Sequence, residues 1–428
     1  VGGAVRDVLL GDMPKDTDWL VPDPQAEAVS AADVLAGSVF AIDETRNVWR
    51  VVHEGDGQQV MRDYVPLEED VHTDLSRRDF TINAIAVDLD GNILDPLAGR
   101  RDLVNQTVRM VAAANLHNDP LRLLRGVRFA CQLGFQLDED TRVTMLEVAG
   151  LHTTGALPLP AWERIRDELN SVMMTPLAAS GVWLLAELGL LEHYLPELMA
   201  GQGIVQGSFH HLDVFDHSVE ALRQLLLGFP EASLALRWGT LLHDIGKPPC
   251  FEVDPETGVQ HFYGHDKVGA DITKTILRRL RQPNTLVHHA SQLVRYHMLP
   301  LPTTDKTTRR FVHRRREILP DLLKVMVADR EAARGKRTSV TARQAYRRVV
   351  ASILAELDKP APPAPLITGN EVMALLDLEP GPKVGEALRF VAEARAVGDI
   401  NSRDDAKNAL LAYAKQQGWQ ETVLERNQ

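Results

Sequence analysis

The sequence predicts an α+β protein, with strands and helices mixed through its first hundred residues and helices from there on. Three observations carry that expectation. Strand and helix signals alternate through the first hundred residues, the pattern from about residue 111 is almost wholly helical, and one Pro-rich stretch, Lys359 to Pro365, interrupts the helices. At 428 residues the chain is too long for one compact domain. Hydrophobic residues make up 44% and charged ones 25%, enough to bury real cores. The expected divisions are a head at 1–110, a neck at 111–175, a body at 176–355, a linker at 356–366 and a tail at 367–428.

In the head, Val48–Val52 and Gln59–Arg62 read as short strands, as does the stretch from Thr81 to Asp88. Gly91-Asn92 marks a turn. In the neck, Leu121, Leu124, Val127 and Phe129 lie near one helix face, with Arg122, Arg125 and Arg128 in a row on another. Leu184–Tyr194 and Val214–Leu227 read as amphipathic helices, and two or three short helices follow the linker.

Several classes are excluded. The longest apolar runs, such as Val182–Leu191, fall well short of the roughly 18 residues that cross a membrane. The chain opens on a Gly-Gly turn without the basic and apolar start of a secretion signal, and without an initiator Met, so residues upstream of Val1 are expected. Cys131 and Cys250 are too few for a disulfide framework or a Cys-rich zinc module and fit a reducing cytoplasm.

A net charge of −12 argues on its face against a polyanionic partner. The charge is unevenly spread, however. Residues 271–350 carry 19 Lys/Arg against 6 Asp/Glu, leaving 28 against 53 elsewhere. Arg309, Arg310, Arg314, Arg315 and Arg316 are the densest part. They read either as solvated helix faces or as a surface that tracks phosphates.

Three signals crowd the head. Gly2-Gly3-Ala4-Val5-Arg6-Asp7 is a tight turn before a helix, a place where backbone N–H groups can meet a phosphate. Asp16-Thr17-Asp18 on a strand would point both carboxylates to one side, where they can hold two Mg²⁺ ions for nucleotidyl transfer. Asp74-Leu75-Ser76-Arg77-Arg78-Asp79-Phe80-Thr81-Ile82-Asn83 places arginines suited to phosphate beside acids and an amide. Asp95-Pro96-Leu97-Ala98-Gly99 reads by itself as a turn.

Taken in order, these strings resemble the head of the class II CCA-adding tRNA nucleotidyltransferases. Those enzymes share it with bacterial poly(A) polymerases, within the polymerase-beta-like superfamily. The resemblance is close over residues 1 to about 170 and looser beyond, and it implies a small mixed-sheet, polymerase-beta-like head followed by an all-α neck, HD body and tail. It implies Asp16 and Asp18 as catalytic metal ligands for two Mg²⁺. It further implies Gly2, Gly3, Arg6, Arg78, Asp79 and Asn83 as nucleotide-binding residues, with CTP, ATP and tRNA as partners. Asn118-Asp119-Pro120-Leu121-Arg122 is similar to the family's E-D-x-x-R neck motif, with Asn118 in place of Glu. The resemblance makes Asp119 and Arg122 readers of the incoming base, with Arg125 and Arg128 one and two turns on. Glu163-Arg164-Ile165 resembles a later neck motif of structural role. Only eleven residues separate Arg62 from Asp74, shorter than the loop usual in members that add the terminal A, which favours CC-addition.

A second constellation lies in the body: His217, His243-Asp244 within Leu-Leu-His-Asp-Ile-Gly-Lys, His265, His289 or His297, and Asp329. Adjacent His-Asp with a His upstream and an Asp downstream resembles an HD-domain site. Its imidazoles and carboxylates suit a divalent transition metal that activates water against phosphoesters. His210, His211, His261 and His288 read as bystanders. The readings carried forward are a C- or CCA-adding enzyme, a poly(A) polymerase, a phosphohydrolase with an RNA-binding head, and a catalytically idle RNA-binding protein.

Overall fold

The computed structural model describes residues 1–14, 16–55, 57–206, 212–333, 340–360 and 365–419. The head is built on four strands, β1 (Asp16–Val21), β2 (Ser38–Asp43), β3 (Val48–Gly55) and β4 (Gln58–Pro66), in the order β1-β4-β3-β2. β1 runs parallel to β4, whereas β4, β3 and β2 form an antiparallel meander, so the sheet is mixed. The Pro24–Leu35 helix covers one face, laying Ala28 and Ala32 against Val51 and Tyr64. Register sets Asp18 opposite Asp63, and strand alternation keeps Asp16 on the same face.

One strand expectation fails. Thr81–Asn83 is a single 3₁₀ turn, and pairing is confined to Ala86–Val87 against Ile93–Leu94 around the Gly91-Asn92 turn. The cause is burial on both sides: Thr81, Ile82 and Asn83 are all buried, so no face is left for alternation. The polar members are instead anchored locally, with the Thr81 hydroxyl donating to Asp102 at 2.7 Å.

The neck helix Leu121–Leu133 forms as expected, burying Leu121, Leu124, Val127 and Phe129 while Arg122, Arg125 and Arg128 stay half-buried along one edge. The expected Leu184–Tyr194 helix is broken into Ala178–Glu187 and Leu191–Tyr194, with Gly189 at φ 69° between them. Leu188, Leu190, Leu191 and Tyr194 are all fully buried, more than one stripe of a continuous helix hides. A single apolar core runs from Phe80 through the neck to Ile353 in the body. The tail helices Gly369–Leu376, Pro382–Ala396 and Arg403–Gln416 have a core of their own. Among the described residues no helix is long and apolar enough to cross a membrane.

The basic helix Asp305–Arg315 faces the tail. Arg310 and Arg314 both bind Glu393, at 2.8 and 2.7 Å, and Lys306 binds Asp399 at 2.6 Å. Arg316 donates to the carbonyls of Leu357 and Lys359, and Arg315 packs on the rings of Tyr296 and Phe311. Arg309 is half-buried, and its Nε has no hydrogen-bond partner among the described residues. Glu393 thus takes up part of the hydrogen-bonding capacity of Arg310 and Arg314. The Arg334, Lys336 and Arg337 cluster and the centre of the Pro-rich linker lie outside the described residues.

Exposed ion pairs of this kind each contribute about 0–1 kcal/mol. Glu393→Gln should therefore leave the melting temperature of the body nearly unchanged. It should speed limited proteolysis between Leu357 and Gly369, and equal cleavage rates would show that the ion pairs do not hold the tail.

Candidate active site and metal centre

The predicted nucleotide-binding residues converge on one cleft of about 420 Å³ between head and neck, lined by Gly3, Arg6, Asp18, Arg78, Asp79, Asn83, Asp119, Arg122, Arg125, Arg128 and Arg164 among others. Gly2 sits at its edge with φ 75°, and a Cβ there would lie 2.2 Å from the Arg78 guanidinium. Only glycine allows both that backbone and that approach.

A chain of charge-assisted bonds orders the floor. Arg125 donates to Asp79 at 2.7 Å, the Asn83 amide donates to the same carboxylate at 3.1 Å, and Arg6 donates to the Asn83 oxygen at 2.7 Å. Arg6, Arg125 and Arg128 all stand over the buried Phe129 ring, 4.2–5.3 Å from its centre. Burial works to raise the Asp79 carboxyl, but Arg125 and Asn83 hold it below the usual carboxylate range. Arg78 is fixed by Asp74 at 2.9 Å and by the Asn83 carbonyl.

At the other wall, Asp119 accepts from the Leu121 N–H with one oxygen and binds Arg164 at 2.8 Å with the other. Arg122 carries a buried Nη1 with no hydrogen-bond partner among the described residues, a donor open to a ligand. Asp18 on β1 lines the cleft, whereas Asp16, two residues earlier on the same strand, is not among its lining residues. Burial raises the Asp18 carboxyl; Arg78 opposes the rise, while neighbouring Asp63 and Asp16 add to it. Carboxylates this crowded suit a divalent cation.

The second constellation also converges. His217, His243 and Asp244 offer ligand atoms within 4.8 Å of one another, and so do Asp244, His265 and His297. Asp329 reaches His217 at 3.0 Å and His243 at 3.6 Å. His289 binds Asp321 at 2.9 Å instead, so of the two predicted alternatives it is His297 that joins the cluster. Burial disfavours a charged imidazole at His243, yet Asp244 and Asp329 push its pKa up to about 10. A metal cation can replace that proton. Gly246 lets the helix starting at His265 come close: a Cβ there would sit 2.2 Å from the His265 carbonyl.

Comparison with known proteins agrees with this layout. Residues 1–109 match the family described as "Poly A polymerase head domain", 134–201 match "Probable RNA and SrmB- binding site of polymerase A", and 209–334 match "HD domain". The chain is 51% identical over 417 residues to the A-adding tRNA nucleotidyltransferase of Deinococcus radiodurans, spanning 97% of this chain and 95% of that one. It is 42% identical over 414 residues to the CC-adding tRNA nucleotidyltransferase of Thermus thermophilus, spanning 96% and 93%. The chain belongs to the tRNA nucleotidyltransferase family. Its fold matches that of the Bacillus stearothermophilus CCA-adding enzyme in complex with CTP, with a TM-score of 0.68 at 23% identity over 98% of this chain and 93% of that one.

Two residues of this nucleotidyltransferase escaped the reading of its sequence. Asp63, opposite Asp18 on β4 and held by Arg50 at 2.6 Å, adds a third carboxylate to the strand face. The signal was one residue beyond the strand end expected at Arg62. Arg164, read as part of a structural motif, lines the cleft and grips Asp119.

The Asp79–Arg125 pair gives a pH signature. Because the folded carboxyl titrates below its unfolded value, its contribution is present above about pH 4 and lost as pH falls below that. Asp79→Asn should cost about 3–5 kcal/mol in urea unfolding at neutral pH, since it leaves Arg125 uncompensated. Its stability should also fall less than that of the parent on acidification. A parallel loss in both proteins would place the acid sensitivity elsewhere.

Proposed function

We propose that this nucleotidyltransferase extends the 3′ end of tRNA with nucleotides chosen by protein side chains, and that its main reaction is addition of A to a tRNA ending in CC. The observation that carries the product assignment is the greater identity to the A-adding relative, 51% against 42% for the CC-adding one, at equal coverage. The 3′-hydroxyl attacks the α-phosphate of the bound nucleoside triphosphate, and pyrophosphate leaves. Divalent ions on Asp16 and Asp18 would lower the pKa of the attacking hydroxyl and neutralise the leaving oxygens. Arg78, fixed by Asp74, meets the triphosphate from the side of the Gly2-Gly3 turn. Arg6 and Asn83 hold that side of the cleft in place.

Base choice follows from donor and acceptor geometry. Asp119 accepts from an exocyclic amine and Arg122 donates to the adjacent ring nitrogen. Cytosine and adenine both present that edge. Uracil and guanine present a carbonyl and an N–H instead, which meet Asp119 and Arg122 with like partners. Arg164 holds the Asp119 carboxylate in the free protein, a support that the Asn at position 118 does not provide.

The short connection from β4 to the Val71–Ser76 helix favours the second reading, CC-addition. One assay separates the readings. tRNA ending at the discriminator base and tRNA ending in CC are each incubated with CTP alone, ATP alone and both, and the ends are sequenced. Growth of the CC-ended tRNA by a single A, with no growth of the shorter tRNA in CTP, is expected. Growth of the shorter tRNA by CC would make this a C-adding enzyme, and long tails from ATP alone would make it a poly(A) polymerase. Arg122→Leu should narrow the preference for ATP over UTP by about 1–3 kcal/mol, roughly 5- to 150-fold in kcat/KM.

The histidine–aspartate cluster supports a separate, metal-dependent phosphohydrolase activity. Asp244→Ala should abolish hydrolysis of a phosphoester substrate in the presence of a divalent transition metal and leave nucleotide addition intact. Asp18→Ala should do the reverse, and loss of both activities in either variant would refute their independence.

A further inference from the structure

We propose that the unpaired 3′ end of the acceptor tRNA lies across the head sheet, on the face that carries Asp16 and Asp18, with Phe40 stacked on one of its bases and Arg50 bound to one of its phosphates. This rests on the reading of the chain as an enzyme that extends tRNA at those carboxylates. The Pro24–Leu35 helix covers the other face of the sheet, over Val39, Val51 and Tyr64. Strand alternation turns Phe40, Arg50 and Asp63 away from that helix. Register then lines them up: Asp18 stands opposite Asp63, Asp63 opposite Arg50, and Arg50 opposite Phe40. A parallel row runs from Asp16 through Met61 and Val52 to Ser38. The first row begins at a carboxylate and ends at an aromatic ring.

The side from which the acceptor arrives follows from the cleft. β1 is an edge strand, and every cleft-lining residue other than Asp18 comes from outside the four strands. The proposed triphosphate site therefore lies beyond that edge. In-line displacement puts the attacking hydroxyl and the leaving pyrophosphate on opposite sides of the α-phosphate. With the triphosphate past one side of β1, the hydroxyl comes from the other, over β4, β3 and β2.

The side chains on that path suit a single strand of RNA. Phe40 is 48% exposed and joins none of the apolar cores among the described residues. Every base has a flat π-face, so an exposed ring can stack on any of them. Arg50 grips Asp63 with Nε and Nη2 at 2.6 and 2.7 Å. That two-point bond fixes the guanidinium and leaves Nη1 without a hydrogen-bond partner among the described residues, free for a phosphate oxygen. Half-buried Val52 and Met61 give the path an apolar floor. Neighbouring strands lie about 4.8 Å apart, so Asp18 to Phe40 is roughly 14 Å, a span of at most about four stacked nucleotides. The ring therefore meets the last few nucleotides of the acceptor, while the incoming base is read on the neck side.

The test measures steady-state extension, by the full chain, of the tRNA end that the parent accepts. Phe40→Leu keeps an apolar side chain and removes the ring. It should raise KM for tRNA about 5- to 150-fold and leave KM for the nucleotide unchanged, whereas Phe40→Tyr should keep the parent values. Arg50→Gln should lower the slope of log tRNA affinity against log salt by about 0.7. In the parent, irradiating an acceptor tRNA with 5-iodopyrimidine nucleotides near its 3′ end should join it to β2 at Phe40. Circular dichroism checks folding, and if Phe40→Leu does not fold the crosslink decides. An unchanged KM for tRNA in folded Phe40→Leu, or crosslinks absent from β2, overturns the stacking contact. An unchanged salt slope overturns the phosphate contact. An unchanged KM accompanied by loss of a dimer in sedimentation would make this face a contact between copies of the chain instead. A parent that extends no tRNA end defeats the underlying reading, an outcome distinct from all of these.

Discussion

The buried pair between Asp79 and Arg125 is the constraint on which the active-site cleft depends. Asp79 lies just before the Thr81–Asn83 turn of the head, and Arg125 on the Leu121–Leu133 helix of the neck. A carboxylate only 5% exposed is stable there only if it is matched, and it receives donors from Arg125, Asn83 and the Phe80 N–H together. Through Asn83 the same network reaches Arg6, behind the Gly2-Gly3 turn. The head side and the neck side of the cleft are thus joined by one polar chain. Beneath it, Phe80 and Phe129 pack edge to face at the start of the core that continues into the body.

Positive charge is used in three different ways. Arg6, Arg125 and Arg128 are anchored to acids or amides and stacked on Phe129, which fixes their direction at the cost of freedom. Arg122 keeps a buried donor unpaired, at an energetic cost that a ligand can recover. The arginines of the Asp305–Arg315 helix are different again, because two of them share the single carboxylate of Glu393. The uneven charge along the chain, +13 over eighty residues against −25 elsewhere, therefore partly cancels where the tail meets the body.

Two acidic clusters, one in the head and one in the body, gather side chains from separate segments of the chain. They differ in how the acid is charged: His243 and Lys247 hold Asp244 ionised against its burial, whereas burial, Asp63 and Asp16 raise the Asp18 carboxyl. Around Asp244 stand His243 and Lys247 from its own turn, with His217 and Asp329 from the Val214–Gly228 and Leu319–Ala332 helices. At the head the acids come from two adjacent strands, and β4 contributes the carboxylate that faces Asp18. A cation is the natural counter-charge for both clusters.

How much of this was legible beforehand depended on range. Short motifs with local geometry could be read from the chain: the Asp16-Thr17-Asp18 strand, the row of Arg122, Arg125 and Arg128, and the His243-Asp244 pair. Each rests on periodicity or on contacts a few residues apart. The Thr81–Asn83 turn was misread because burial on both faces erases alternation, and the helix break near Gly189 because its leucines are hidden all round. Tertiary structure alone chose His297 over His289, set Asp63 across from Asp18, and brought Arg164 to Asp119. Those are pairings between residues 32 to 53 positions apart, and nothing in the local sequence encodes which distant partner a side chain will meet.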